Sequence, residues 1–221
     1  MTGRRPTWSF VLVAAGAGRR MGGIPKQFRM LGGTPMWQWS ARVAEGLFLN
    51  GKIDELVVVF PCGYGGAPEA SDLAVPAKYV DGGRTRAESV KKGLESACFE
   101  YAMIHDAARP FLPEAICEAL MGRALGEVGA IPLLESTDSL KLVDGGISAL
   151  PRDKIYRTQT PQAFKRATML DILKSHDAGA TDEASLWLEA GYRLEYVPGS
   201  QKNFKVTTDF DWAMAKSLAE G

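Results

Sequence analysis

The fold follows from one segment near the N-terminus, Phe10-Val11-Leu12-Val13-Ala14-Ala15-Gly16-Ala17-Gly18-Arg19-Arg20-Met21, where an apolar run passes directly into a glycine-rich loop. Continuous rather than alternating hydrophobicity is typical of a strand that is covered on both faces. The small residues that follow it allow backbone N–H groups to approach a polyphosphate closely. A plain strand-to-helix turn with solvated arginines is the alternative interpretation.

The glycine loop does not match two common phosphate motifs. Met21 stands where a dinucleotide fingerprint has its third glycine, and no Gly-Lys-Ser/Thr follows as in a Walker A loop. The loop instead carries Arg20 and Lys26, whose charges can neutralise phosphate oxygens directly. The first 44 residues contain seven Lys or Arg and no Asp or Glu, so this part of the chain favours a small polyanion such as a phosphate compound.

Three further apolar runs, 56–60, 101–104 and 130–134, have the character of buried strands. Amphipathic segments alternate with them, and we expect helices over residues 36–49, 86–98, 113–125, 167–174, 182–190 and 210–218. This alternation predicts an α/β fold with a mainly parallel sheet and helices on both faces. In such sheets ligands bind at the carboxyl ends of the strands. No repeat or linker interrupts the chain, so we expect a single domain over residues 1–221.

One segment departs from this alternation of strands and helices. Residues 139–143 alternate between polar and apolar, Asp144-Gly145-Gly146 is a turn signal, and residues 147–150 alternate again. The pattern predicts a protruding β-hairpin arm within about residues 136–156. Because an isolated two-stranded hairpin is marginally stable, we expect it to pack either on its own domain or on another subunit.

Composition excludes several classes of protein. The 221 residues carry 26 Lys+Arg and 26 Asp+Glu, a balance that argues against a nucleic-acid binder. Three cysteines lack the spacing of a disulfide framework or a zinc site. No apolar stretch approaches the ~20 residues of a membrane span, and the short run after Arg4-Arg5 continues into the glycine loop instead of a signal-peptide cleavage site. We therefore expect a cytoplasmic protein without membrane or nucleic-acid partners. The last predicted helix ends shortly before Gly221, so we also expect no second enzyme fused after it.

Three later segments carry residues suited to nucleotide chemistry. The turn 81–86 would let the backbone meet a flat ligand such as a base edge, although a turn with a helix N-cap explains it nearly as well. Asp106 follows an apolar strand, and a carboxylate at this strand end could hold Mg²⁺ for a nucleoside triphosphate. Arg109 could bind a second phosphate through two hydrogen bonds. We expect His105 to be structural, because adjacent strand residues point to opposite faces. Lys205, interpreted as part of a short alternating strand, matters only if that strand end meets the glycine loop.

Together these segments resemble the 2-C-methyl-D-erythritol 4-phosphate cytidylyltransferase family. The resemblance spans about residues 10–215 in the family's order, and its most specific part is the block His105-Asp106-Ala107-Ala108-Arg109-Pro110. Further matches are Ala-Ala-Gly-x-Gly-x-Arg-Met with Pro25-Lys26-Gln27, Thr160-Pro161-Gln162, Thr181-Asp182-Glu183-Ala184-Ser185 and Asn203-x-Lys205-Val206-Thr207. The resemblance implies a Rossmann-like nucleotidyltransferase that transfers the cytidylyl group of CTP to 2-C-methyl-D-erythritol 4-phosphate and releases pyrophosphate, in non-mevalonate isoprenoid precursor biosynthesis.

The resemblance also implies roles for individual residues. Charge on the α-phosphate in the transition state would be stabilised by Arg20, Lys26 and Lys205. The cytidine pocket would be lined by Ala14, Ala15, Gly16, Gly82 and Ser89, and the methylerythritol phosphate would be held by Arg109, Ser139, Arg152 and Thr160. Asp106 would serve Mg²⁺ or another divalent cation. The hairpin arm would reach across a homodimer, so that Ser139 and Arg152 serve the partner's site.

Two alternatives remain at this stage. The chain could be a cytidylyltransferase for another polyol phosphate, such as ribitol 5-phosphate. It could also be a non-catalytic nucleotide-binding subunit that kept the fold, although the joint presence of Arg20, Lys26, Asp106 and Lys205 argues against that. The chain departs from the family pattern at Phe204, which replaces the commoner Ile, and at Arg84, which stands where an acid can occur.

Overall fold

The computed structural model of the chain describes residues 5–16, 25–64, 72–175 and 182–220. The helices in these ranges are α1 Met36–Leu49, α2 Arg86–Ser96, α3 Glu114–Arg123, α4 Arg166–Ser175, α5 Glu183–Glu189 and α6 Asp209–Glu220. The strands are β1 Trp8–Val13, β2 Met30–Leu31, β3 Thr34–Pro35, β4 Glu55–Phe60, β5 Ala77–Asp81, β6 Tyr101–Asp106, β7 Val128–Glu135, β8 Lys141–Val143, β9 Ile147–Ala149, β10 Tyr156–Thr158, β11 Gln162–Lys165 and β12 Arg193–Pro198. None of the helices in the described ranges has the length and apolar character to cross a membrane.

The main sheet has the strand order β10-β7-β11-β6-β1-β4-β5, and β12 also pairs with β7. β1 lies between β6 and β4 and is parallel to both, β5 is parallel to β4, and β12 is parallel to β7. β11 runs antiparallel to β6 and β7, and β10 runs antiparallel to β7. The sheet is therefore mainly parallel, as predicted, with an antiparallel insertion beside β6.

The central strand β1 separates two apolar layers. Phe10 and Leu12 belong to the cluster covered by α1 and α3, whereas Val11 and Val13 belong to the cluster covered by α2, α4 and α5. Neighbouring strand residues point to opposite faces, so a strand buried on both sides is apolar at most positions. Every residue of β1 is buried, which explains the apolar run from Phe10 onward, and the polar Ser9 donates a hydrogen bond of 2.7 Å to Glu55.

Two features of the fold differ from the sequence prediction. The prediction contained four strands of the sheet, but the sheet also includes β5, β10, β11 and β12. Of these, β5, β10 and β12 are largely half-exposed or exposed, whereas the short β11 is mostly buried. The strand expected around Lys205 is wrong: residues 204–207 form no strand. Instead, the backbone N–H of Val206 donates to the carbonyl of Ala108 at 2.8 Å, and this contact brings the segment to the end of β6.

The hairpin arm has the expected form. β8 and β9 pair antiparallel from Lys141 opposite Ala149 to Val143 opposite Ile147. Every residue of both strands is exposed in the single chain.

Candidate active site

A cavity of about 410 Å³ opens at the carboxyl ends of β1 and β6. Its wall includes the residues after β1, the start of α2, the end of β6 and the segment around Lys205. Its described charged lining residues are Lys26, Arg84, Arg86 and Lys205, against the single acid Asp106. The cavity therefore has an excess of positive charge, which suits a polyphosphate.

The two predicted catalytic lysines line this same cavity. Lys26 opens a short 3₁₀ turn, and its Nζ donates to the backbone carbonyl of Val206. Lys205 precedes Val206, and its Nζ donates to Asp106 Oδ2 at 2.7 Å. The fold thus brings together two cations that are 179 positions apart in the sequence. Arg20, the third predicted catalytic cation, lies outside the described residues.

The strand end that precedes the glycine loop is fixed by Gln27. Its Nε2 donates to the carbonyl of Ala14 at 2.7 Å and to that of Gly16 at 2.8 Å. Gln27 itself is 3% exposed, so this anchor is shielded from water. Ala14, Ala15 and Gly16 all line the cavity, as expected for residues that meet a nucleotide through their backbone.

Gly82 and Ser89 shape the opposite wall. A Cβ at Gly82 would lie 2.6 Å from Ala15 Cβ and 2.9 Å from Ser89 Oγ, so only glycine fits between them. The buried Ser89 hydroxyl accepts from Gly83 N at 3.0 Å and donates to the carbonyl of Thr85 at 2.8 Å. Ser89 lines the cavity, whereas Gly82 lies behind its wall and allows Ala15 and Ser89 to approach each other.

Asp106 is the acidic centre of the cavity. Its Oδ1 accepts from Arg86 Nε at 3.1 Å and its Oδ2 accepts from Lys205. Burial opposes ionisation of this carboxyl, but the charges of Arg86 and Lys205 outweigh it and hold the pKa of Asp106 well below its ordinary value. Asp106 is therefore an anion throughout the physiological pH range.

Arg86 contacts a second, deeper carboxylate. Its NH1 and NH2 donate to Glu183 Oε1 and Oε2 at 2.6 and 3.0 Å. Burial raises the pKa of Glu183 above its ordinary value, and the paired guanidinium of Arg86 opposes this shift. No local sequence pattern marks the roles of Arg86 and Glu183, because their pairing joins positions 97 residues apart.

His105 is a structural residue, as expected. Its ring is fully buried, and burial lowers the pKa of His105 to about 4. Thr160 Oγ1 accepts from the backbone N–H of Asp106 and lies 3.1 Å from His105 Nδ1, while His105 Nε2 lies 3.1 Å from the carbonyl of Arg109. These partners fit a neutral ring that accepts from Thr160 and donates to Arg109. Thr160 is 5% exposed and lines neither this cavity nor the one described next.

A second cavity, of about 480 Å³, adjoins the first through Lys205. Arg109 and Arg157 line it together with Lys205, and its described acid, Asp211, already accepts three hydrogen bonds of 2.8 Å from Thr207 and Thr208. Arg109 NH1 is anchored on the carbonyl of Asn203 at 2.7 Å. This second cavity therefore suits a phosphorylated ligand.

The arm residues lie apart from both cavities within one chain. Ser139 is exposed, and Arg152 is exposed in a shallow hollow of about 340 Å³ beside Glu135 and Tyr156. Neither residue lines the two cavities described above.

Comparison with known proteins identifies the family. A family model described as IspD, 2-C-methyl-D-erythritol 4-phosphate cytidylyltransferase, matches residues 9–220. The chain belongs to this family. The resemblance drawn from the sequence is confirmed.

Individual members of the cytidylyltransferase family extend this result. The chain is 42% identical over 211 residues to the bifunctional enzyme IspD/IspF of Granulibacter bethesdensis, covering 92% of this chain and 54% of that protein. It is 34% identical over 220 residues to the 2-C-methyl-D-erythritol 4-phosphate cytidylyltransferase of Deinococcus radiodurans, covering 96% of this chain and 90% of that protein. The chain thus spans about half the length of bifunctional relatives.

The cytidylyltransferase fold is also confirmed. The crystal structure of 2-C-methyl-D-erythritol 4-phosphate cytidylyltransferase from Thermus thermophilus matches with a TM-score of 0.79 at 29% identity, covering 96% of this chain and 98% of that one. The predicted mainly parallel nucleotidyltransferase sheet is therefore correct.

Proposed function

We propose that this chain transfers the cytidylyl group of CTP to 2-C-methyl-D-erythritol 4-phosphate and releases pyrophosphate, in the biosynthesis of isoprenoid precursors by the non-mevalonate route. The position of Lys205 carries the proposal. Its side chain lines both cavities, so a phosphate in the second cavity and a triphosphate in the first would meet beside one ammonium group. Membership of the family and the positive lining of both cavities support the same assignment.

The reaction requires no protein nucleophile. An oxygen of the methylerythritol phosphate attacks the α-phosphorus of CTP, a new P–O bond forms, and the bond from the α-phosphorus to the bridging oxygen breaks, so that pyrophosphate leaves. The attacking oxygen is already anionic and needs no general base. Catalysis then consists of positioning and of neutralising negative charge, which is the role we assign to Lys26, Lys205 and Arg20.

Substrate recognition is divided between the two cavities. Ala14, Ala15, Gly16 and Ser89 would hold the nucleotide in the first cavity, and Gly82 would let two of them approach each other. Arg109 would hold the phosphate of methylerythritol in the second. Ser139 and Arg152 would complete the second cavity of a partner subunit, and Thr160 would position Asp106 through its backbone contact.

Asp106 fits a divalent cation that is held mainly by phosphate. The described residues contain no cluster of three or more His, Cys, Asp or Glu that could hold a metal ion by themselves. Mg²⁺ at nucleotide sites commonly uses one or two carboxylates together with phosphate oxygens and water, and the ionised Asp106 offers such a ligand. Its oxygens accept from Arg86 and Lys205 and retain further lone pairs. When bound, Mg²⁺ would neutralise charge on the triphosphate.

The hairpin arm exposes several large apolar side chains. Val143 and Ile147 are 74% and 77% exposed, and Leu142 is 50% exposed. An isolated hairpin with an apolar surface gains stability by packing on another surface. We therefore propose that the arm packs on a second copy of the chain and delivers Ser139 and Arg152 to its site.

A coupled pyrophosphate assay tests the function. Each of the four ribonucleoside triphosphates is offered with 2-C-methyl-D-erythritol 4-phosphate and, in parallel, with ribitol 5-phosphate. We expect pyrophosphate release with CTP and methylerythritol phosphate together, and no release when either is omitted. Equal or faster release with ribitol 5-phosphate would overturn the substrate assignment, and no dependence on a second substrate would overturn the transferase assignment.

A further inference from the structure

Glu183 lies behind the first cavity as a buried carboxylate. Its side chain is 2% exposed, and it is the first residue of α5, whose N-cap Asp182 accepts from Ser185 N at 2.8 Å. A buried carboxylate costs much free energy unless it is paired and hydrogen-bonded. Glu183 meets that requirement through two parallel hydrogen bonds from the guanidinium of Arg86.

This pairing determines how Arg86 can contact Asp106. Both terminal nitrogens of the guanidinium donate to Glu183, at 2.6 and 3.0 Å. Only Nε of Arg86 therefore donates to Asp106, at 3.1 Å from Oδ1. The other oxygen of Asp106, Oδ2, accepts from Lys205 at 2.7 Å. Charges of alternating sign thus run from the buried first residue of α5 to the junction of the two cavities.

We propose that Glu183 is a positioning residue that restrains Arg86 to a one-point contact with Asp106 and so reserves the second oxygen of Asp106 for Lys205. Without the charge of Glu183, the guanidinium fork would turn to Asp106, because two-point contacts between arginine and carboxylate are favoured. Lys205 would then lose the anchor that holds its ammonium group beside both cavities. The kinetic part of this inference rests on the proposed function, whereas its geometric part does not.

The substitution Glu183→Gln tests the proposal because it removes the charge and keeps the shape. In a crystal structure without ligands, we expect Arg86 to contact both oxygens of Asp106 and Lys205 Nζ to have left Oδ2. We expect kcat to fall by about 10- to 100-fold, the range found for groups that orient metal-ligating side chains. The dissociation constant of CTP, measured by calorimetry without the second substrate, should change much less. Unchanged positions of Arg86 and Lys205 would overturn the proposal.

Glu195→Gln is the matched control. Glu195 also accepts from two arginines, Arg123 at 3.1 Å and Arg193 at 2.6 Å, but it lines neither cavity. We expect its kcat to equal that of the wild type. An equal loss of kcat in both variants would show that a general effect of removing charge, and not the restraint of Arg86, explains the result.

A rescue experiment separates positioning from a merely structural role. In Arg86→Met/Glu183→Met the competing guanidinium is absent, and replacing a buried ion pair by apolar side chains of similar volume is often neutral for stability. The proposal expects Lys205 to keep its contact with Asp106 in this double variant and kcat to recover relative to Glu183→Gln. A double variant that folds but has lost the contact would overturn the proposal, even if Glu183→Gln fails to fold. Absence of pyrophosphate release by the wild type would refute the proposed function and leave the crystallographic test intact.

Discussion

Replacing Lys205 by methionine removes one ammonium group at the junction of the two cavities and keeps most of the side-chain volume. Loss of a single preorganised donor to transition-state charge costs about 10²- to 10³-fold in kcat. The Lys205 side chain is 41% exposed but that of Asp106 is only 10% exposed, so loss of the ion pair leaves a buried carboxylate with one charged partner fewer. Arg86 still pairs with Asp106 in the variant, and we expect the free energy of unfolding to fall by about 1–3 kcal/mol. We therefore expect a large loss of kcat in a protein that remains folded.

Lys165 provides a control of similar exposure. Its side chain is 35% exposed and forms an ion pair of 2.5 Å with Glu127, but it lines neither cavity. The assay is pyrophosphate release at saturating CTP and methylerythritol phosphate, together with urea unfolding of each variant. Lys165→Met should leave kcat unchanged. Near wild-type turnover in Lys205→Met, or an equal loss in Lys165→Met, would refute the assignment of Lys205 to the reacting phosphate.

Three further predictions concern stability, nucleotide binding and assembly. The pKa of His105 is about 4 in the folded protein against an ordinary 6.5, so only the unfolded state gains a proton as the pH falls between these values. The contribution of the neutral His105 to the free energy of unfolding is therefore fully present above pH 6.5, and about 3 kcal/mol of it is lost towards pH 4. Urea unfolding of His105→Gln should show a flatter pH dependence over this range, and an unchanged slope would contradict the burial argument. Gly82→Ala places a Cβ 2.6 Å from Ala15 Cβ, so we expect the KM for CTP in steady-state kinetics to rise and the free energy of unfolding to fall by about 1–3 kcal/mol. A KM equal to that of the wild type would show that this wall does not contact the nucleotide. Ile147→Asp places a charge on the exposed arm and should shift the sedimentation coefficient from dimer to monomer; a wild-type that sediments as a monomer would exclude the arm as a dimer contact.

The sequence predicted most of the buried strands but missed the short β11. The apolar run at residues 10–14 lies largely in the fully buried β1, and the helix predicted over residues 36–49 has those same bounds in the structure. Full burial favours apolar residues at most strand positions, so it leaves a strong pattern in the longer strands. The edge strands β5 and β12 are largely half-exposed and keep polar residues, so they resemble loops in the sequence.

The candidate site was predictable where it depends on strand ends and unpredictable where it depends on distant pairing. Asp106 was found because it follows a buried strand, and His105 was correctly interpreted from the alternation of faces. The segment around Lys205 was predicted as a strand because its polar and apolar residues alternate. One backbone hydrogen bond from Val206 to Ala108 connects it to the end of β6, and this bond leaves no pattern in the sequence. The pairing of Arg86 with Glu183 forms because α2 and α5 lie on the same face of the sheet, and no local sequence pattern around either residue predicts it.

The anchoring of the first strand end by Gln27 limits which side chains evolution can place there. One amide nitrogen covers two carbonyl oxygens, so the negative poles of two peptide dipoles are masked at the rim that a triphosphate would approach. A glutamate of the same shape would bring an anion against both oxygens and unmask them in a water-poor setting. At this position, therefore, neutrality of the side chain matters more than its size, even though the surrounding surface is cationic and would tolerate an acid on charge balance alone.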